Sequence, residues 1–149
     1  MTKIPRVAAL AFLLSVVIAG PVAAFEPVST DEDKIAIEGY DAVAYFTERE
    51  AMRGNPDHEY EWQGALWRFA SALHRDLFAS APDRYAPRYG GFCSGAMAAG
   101  RTFRADPEAW RIIDGRLYLN FSQSGIERFA DDAEETIPQA DTNWLELLN

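Results

Sequence analysis

Residues 110–121 read WRIIDGRLYLNF and carry the clearest structural signal in the chain. The pair Asp114-Gly115 is typical of a two-residue hairpin turn, because such turns need residues that tolerate a positive φ angle. Leu117, Leu119 and Phe121 occupy alternate positions, which predicts a strand with one packed face. This stretch therefore predicts a β-hairpin.

A second hairpin is predicted over residues 59–71, with its turn at Gln63-Gly64. Ser71 then suits the N-cap of a helix, because its hydroxyl accepts a hydrogen bond from a free backbone N–H. Leu73, Leu77 and Phe78 are predicted to share the packed face of that helix. The helix is expected to end near Ala81, before Pro82.

The remaining elements are shorter and less distinct. We predict a strand in the second half of residues 37–46, a loop over 47–58, a short helix over 83–86, a buried helix over 92–99 and a helix start at 106–108. A C-terminal helix from Pro138 onward is expected to pack Trp144, Leu147 and Leu148. No repeat is recognisable. The prediction is a small single α+β domain of β-hairpins packed with short helices.

The first 24 residues have the pattern of a secretory signal peptide. Lys3 and Arg6 precede an apolar run over residues 7–18, and small residues at 22–24 suit cleavage after Ala24. The apolar run is shorter than the roughly 20 residues of a membrane-spanning helix. The expectation is a periplasmic or secreted protein, off the membrane after cleavage, with an irregular segment at 25–36 before the domain at 37–149.

Charge and cysteine content exclude several classes of function. The formal net charge is −9, which argues against nucleic acid as a partner. Cys93 is the single cysteine, so neither an intramolecular disulfide nor a zinc site with several cysteines can form within one chain. Neither feature predicts the oligomeric state.

The pieces together resemble the YHS-domain family, in the form found in secreted bacterial proteins. The likeness runs over about residues 37–145 and is carried by GYDAVAYF (39–46), YEWQG (60–64), FAS (69–71), RDLF (75–78), PDRYAP (82–87), YGGFC (89–93), DPEAW (106–110) and DGRLYLNFS (114–122). The resemblance implies a small module associated with metal ions. Relatives place a cysteine before the serine that ends the second hairpin arm, whereas this chain has Ala70 before Ser71, so Cys93 is the thiol that remains.

Cys93, Met97 and His74 are the predicted metal ligands. If residues 92–99 are helical, Cys93 and Met97 lie about one turn apart on one face. Thiolate and thioether ligands suit Cu(I), and His74 would add an imidazole if its helix packs nearby. The alternative is that Cys93 and Met97 fill the core, as both residue types commonly do. His58 lies among Asp57, Glu59 and Glu61, a cluster better explained as solvated charge.

Three functions remain open. The first is a binding module that holds copper or another soft metal ion through Cys93. The second is an extracytoplasmic thiol-redox protein in which Cys93 reacts, which requires an exposed thiol. The third is a metal-free interaction or small-molecule-binding module that uses an aromatic pocket. No acid–base pair or nucleophile motif stands out, so the sequence favours a protein that is not an enzyme and predicts no catalytic residue or organic cofactor.

Overall fold

The computed structural model describes Gly20 and residues 24–149. Its elements are α1 (Ala44–Thr47), β1 (Asn55–Trp62), β2 (Ala65–Phe69), α2 (Ala72–Ser80), α3 (Pro82–Tyr85), α4 (Ser94–Ala98), β3 (Asp106–Ile113), β4 (Arg116–Asn120), α5 (Gln123–Asp131) and α6 (Ala133–Leu148), with 3₁₀ turns at Ile37–Gly39 and Arg88–Gly91. The predicted α+β class is confirmed. The predicted signal peptide lies outside the described residues, apart from Gly20 and Ala24.

Both predicted hairpins are confirmed, with the turns where the sequence places them. β1 pairs antiparallel with β2 across Gln63-Gly64, and β3 pairs with β4 across Asp114-Gly115. Both residues of each turn have positive φ angles, between 50° and 73°, as a tight turn of this type requires. The glycines take the position at which a side chain would be most strained.

A serine caps the helix that follows each hairpin. The Ser71 Oγ accepts a hydrogen bond from the His74 backbone N–H, and the Ser122 Oγ accepts one from the Gly125 N–H. The predicted helix end near Ala81 is also confirmed. The predicted packed face of α2 is only partly right, because Leu73 is 66% exposed whereas His74 and Phe78 are buried.

The two hairpin–helix units are copies of one architecture. β1, β2 and α2 have the lengths of β3, β4 and α5, and each position in the second unit lies 51 residues after its counterpart. The register of the strand pairing also shifts at the equivalent position of both hairpins, between Asn55 and Glu59 in β1 and between Asp106 and Trp110 in β3. The expectation that the chain holds no repeat is therefore wrong.

The repeat extends upstream of the hairpins, where counterparts lie 52 residues apart as far as the short helix, as Asp41 and Cys93 do, and 51 residues apart again at Met52 and Phe103. In each copy a 3₁₀ turn with positive φ angles leads into a short helix, α1 or α4. The Asp41 N–H donates to the Met52 carbonyl, and the Cys93 N–H donates to the Phe103 carbonyl, both at 2.8 Å. We call residues 37–80 the first half and residues 89–131 the second half.

Few residues are identical between the halves, so the repeat is not recognisable in the sequence alone. The hairpin–helix units share Pro56 with Pro107, Gly64 with Gly115, Leu66 with Leu117, Ser71 with Ser122, Phe78 with Phe129 and Ala79 with Ala130. These residues serve the turn, the cap and the packed positions. The same backbone structure forms in both halves because such positions set local geometry, although the residues at most other positions differ.

Several local predictions are wrong. The second half of residues 37–46 forms a turn and the start of α1 rather than a strand, and residues 106–108 begin strand β3 rather than a helix. β1 begins at Asn55, inside the predicted loop. α6 begins at Ala133, before Pro138, and in it Leu147 and Leu148 are exposed while Trp144 packs against aromatic rings. Tertiary contacts override local propensity at these places.

Two hydrophobic clusters form the core. The larger one holds residues from the first half and the flanking residues Val28, Ala36 and Tyr85, together with Leu117 and Leu119 of β4. The smaller one holds Met97, Tyr118, Phe129 and other residues of the second half, closed by α6. No helix among the described residues has both the length and the hydropathy to span a bilayer.

The segment before the first half lies against the second half. The Ser29 N–H donates to the Gly90 carbonyl at 2.8 Å, and Val28 and Ser29 are buried. A Cβ built at Gly90 would stand 1.8 Å from the Pro27 carbonyl oxygen. Close approach of two backbones therefore requires glycine at position 90.

We expect Gly90→Ala to destabilise the fold far more than Gly64→Ala. Both glycines have a positive φ angle, so either substitution costs about 1 kcal/mol or more in backbone strain. Gly64 has no atom within 4 Å of the added Cβ, whereas Gly90 would also collide with Pro27. Urea unfolding of both variants measures the difference, and equal losses would show that the contact with Pro27 does not matter.

Candidate functional site

Cys93 is buried and caps a helix. It precedes α4, its side chain is fully enclosed, and its Sγ accepts a hydrogen bond from the Ala96 N–H at 3.5 Å. Met97 lies one turn further along and belongs to the smaller core cluster. The predicted helical relation of these two residues is present, and both are shielded from solvent.

His74 makes its polar contacts inside the first half. Its Nδ1 lies 2.6 Å from the Asp41 Oδ2, and its Nε2 lies 3.3 Å from the Thr47 Oγ1 and 3.5 Å from the Glu48 Oε1. Because a carboxylate only accepts, the Nδ1 donates to Asp41. Both ring nitrogens are thus occupied by residues other than Cys93 and Met97.

The residues 24–149 contain no group of three or more His, Cys, Asp or Glu side chains placed to hold a metal ion. That observation covers neither thioether ligands nor a site shared with a second molecule. Copper binding through Cys93, Met97 and His74 therefore stays a prediction.

Asp41 is a buried polar residue outside the predicted ligand set. Its side chain is fully buried and accepts hydrogen bonds from the backbone N–H groups of Val43, Ala44 and Ala70 as well as from His74. One carboxylate thus joins the start of α1, the end of β2 and α2. Such complete pairing is what a buried carboxylate needs.

Thr47, His74 and Asp41 form a hydroxyl–imidazole–carboxylate series of the kind that activates a nucleophile. The geometry does not favour that role. The Thr47 hydroxyl donates to the Val43 carbonyl at 3.3 Å, and only 8% of the surface of His74 is exposed. None of the three residues lines the two open cavities beside α4. We interpret the series as a structural clamp.

A groove runs along α4 in the second half. It consists of two solvent-open cavities of about 360 Å³ and 340 Å³ that share Gly95 and Phe121 as lining residues. We call it the α4 groove; it is lined by Gly95, Ala96, Arg101, Thr102, Phe103 and Phe121 in the first cavity and by Gly95, Ala98, Asn120, Phe121, Gly125, Arg128, Phe129, Asp132 and Thr136 in the second.

Comparison of the halves explains why the groove exists. Gly95 occupies the position of Val43, and Gly125 occupies the position of His74, whose N–H makes the same capping bond. Two side chains that fill the first half are therefore missing from the second. The Asn120 amide fills part of the space, since a Cβ on Gly125 would stand 2.3 Å from its Oδ1.

Two aromatic rings form the exposed wall of the groove. Phe103 and Phe121 are 60% and 52% exposed, and their rings meet edge to face with centroids 6.0 Å apart. Their counterparts in the first half are Met52 and Ala70. Exposed aromatic side chains beside a concave surface are typical of a binding site.

The sequence pattern does not predict this site. The alternation over residues 117–121 predicts a packed Phe121, which is wrong because that side chain is exposed, and Phe103 lies in a polar loop without a motif around it. The available signal was a large apolar residue between Arg101 and Arg104. That signal is weak, because single exposed aromatics are common on protein surfaces.

Groups with shifted pKa values lie away from the groove. Burial raises the pKa of Tyr45, and burial together with a hydrogen bond to Asp141 raises the pKa of Tyr89. Neither tyrosine lines the groove. These shifts reflect buried phenols in the core, so they do not indicate an acid–base site.

No protein-family model, curated protein or solved structure matches this chain significantly.

We expect Asp41→Asn to lower the free energy of unfolding by roughly 3–5 kcal/mol, the usual cost of breaking a buried charged pair. The amide has one accepting oxygen where the carboxylate has two, so donors among Val43, Ala44, Ala70 and His74 lose their acceptor. Denaturant unfolding measures the loss. Asp33→Asn, at an exposed turn, is the control and should change stability little; a similar small loss for Asp41→Asn would contradict the clamp.

We expect the Cys93 thiol to react with an aromatic disulfide reagent only after unfolding, because the side chain is fully enclosed. Absorbance of the released thiolate follows the reaction with time. The matched control combines Cys93→Ala with Ser124→Cys, which places the thiol at an exposed position and should react at once. A native Cys93 that reacts as fast as this control would favour the thiol-redox hypothesis.

Proposed function

We propose that this chain is an extracytoplasmic binding module that holds a small apolar molecule in the α4 groove. The observation that carries the proposal is the pair of open cavities beside the exposed rings of Phe103 and Phe121. The assignment to the periplasm or the exterior rests on the signal pattern of residues 1–24.

The dimensions and composition of the groove support binding. Each cavity is within the range of about 300–1,000 Å³ that is typical of small-molecule sites. Glycine and alanine form the floor along α4, so a ligand can approach the helix closely. The walls are aromatic, and burial of Phe103 and Phe121 under a ligand would remove exposed apolar surface from water.

Binding is a better interpretation than catalysis. The lining residues of the groove include neither histidine nor cysteine, and Asp132 is the one carboxylate among them. No lining pair has the relation of a nucleophile to a general base. The resemblance to YHS domains implies a small module associated with metal ions, so it supports a binding role and not the choice of an apolar ligand.

Copper binding and thiol-redox activity through Cys93 are retained as separate predictions. Both would require a reagent to reach a sulfur atom that is fully enclosed and already accepts a backbone hydrogen bond. The α4 groove requires no such opening, and for that reason we favour it.

The groove can be tested with N-phenyl-1-naphthylamine, an uncharged probe that fluoresces when it leaves water. We expect saturable binding to the protein and a loss of about tenfold or more in affinity for Phe121→Ala and for Phe103→Ala, because each removes part of an aromatic wall. Both residues are exposed, so the variants should fold.

Leu73→Ala is the matched control, since Leu73 is the most exposed of the large apolar residues and lies in the first half. It should leave the probe affinity unchanged. If the phenylalanine variants bind the probe as wild type does, or if the control loses as much affinity, the groove is not the binding site.

A further inference from the structure

Two arginines line the α4 groove without an acidic partner. Arg101 lines the first cavity and Arg128 lines the second. Among the described residues, neither guanidinium lies within 4.0 Å of a carboxylate, whereas Arg68, Arg75, Arg88, Arg104 and Arg111 all do.

Among the described residues, Arg49, Arg53, Arg84 and Arg116 also lack a carboxylate within 4.0 Å, so what distinguishes Arg101 and Arg128 is their place in the lining of the groove. Acidic residues outnumber Lys and Arg by 23 to 14, so carboxylates are plentiful on the surface. Asp132 lines the second cavity together with Arg128, yet the two side chains form no ion pair. The groove therefore carries positive charge within an otherwise acidic protein.

We infer that the ligand of the α4 groove is a small anionic molecule with a flat, apolar body, and that Arg101 or Arg128 binds its anionic group while Phe103 and Phe121 contact the flat body. This inference rests on the proposed function. A guanidinium offers parallel N–H donors that match a carboxylate, sulfonate or phosphate.

The aromatic wall favours a flat body over a branched aliphatic one. The rings of Phe103 and Phe121 meet edge to face at an interplanar angle of 80°, which leaves ring faces and edges available to a third ring. Gly95 and Ala96 line the same cavity and have small or no side chains, so the helix side of the cavity carries little bulk. A ligand with a single ring or two fused rings fits the volume of one cavity.

A second copy of this chain is the rival occupant of the same surface. Two exposed phenylalanines could pair across a symmetric interface. Charge does not favour it, because like-charged copies would bring Arg101 and Arg128 near their own equivalents. The experiment below therefore includes the oligomeric state.

The test compares 2-naphthoate with its uncharged analogue 2-naphthamide by titration calorimetry. We expect wild-type protein to bind the naphthoate about tenfold or more tightly, as hydrogen bonds to a charged group are worth more than neutral ones. The double variant Arg101→Gln with Arg128→Gln should lose most of that preference while its affinity for naphthamide is little changed. Arg84→Gln, an exposed arginine of α3, should keep the preference.

The outcomes separate this inference from the proposed function. If naphthamide binds as tightly as naphthoate, if neither binds, or if the double arginine variant keeps the preference, the anionic ligand is wrong, and the groove still stands provided that Phe121→Ala weakens the neutral fluorescent probe. If light scattering shows a dimer that Phe121→Ala converts to monomer, the surface is an interface between copies and the inference is overturned.

Discussion

The buried carboxylate of Asp41 is the interaction on which the first half depends. A full charge without solvent contact is tolerated only when donors surround it. Asp41 meets this demand with three backbone N–H groups and the imidazole of His74, and these donors come from α1, from the residue after β2 and from α2. These hydrogen bonds therefore hold one short helix, one hairpin and one longer helix in a single arrangement.

The second half keeps the architecture without the charge. Cys93 stands where Asp41 stands in the first half and caps α4 with a sulfur atom, a weaker acceptor than a carboxylate. Gly125 stands in place of His74, so α5 sends no side chain toward α4 at that position. The second half has no such clamp, and Gly95 and Gly125, which stand in place of Val43 and His74, line the α4 groove.

α6 supplies the stabilisation that the second half lacks. It begins at the position equivalent to the start of α3, which follows the first half, but it continues for 16 residues and packs along α4. The Asn143 Nδ2 donates to the Met97 and Ala98 carbonyls, which closes the free end of α4. Trp144 covers Tyr89 and Phe92. Thus α6 holds α4 in place, and Thr136 near the start of α6 also lines the groove.

Local chemistry by itself determined the hairpin turns at Gln63-Gly64 and Asp114-Gly115, the serine caps of α2 and α5 and the α+β class, because turns and caps are governed by residues that are neighbours in the sequence. Tertiary structure decided the helical form of residues 44–47, the strand at residues 106–108 and the repeat, since these depend on partners far along the chain.

Tertiary structure also decided the candidate site. Phe103, Phe121 and Arg101 come together only when the loop after α4 folds against the end of β4. Gly125 leaves space in the second cavity because it has no side chain, whereas its counterpart His74 has one. Concavity is a property of packed elements, so no pattern within one segment could reveal it.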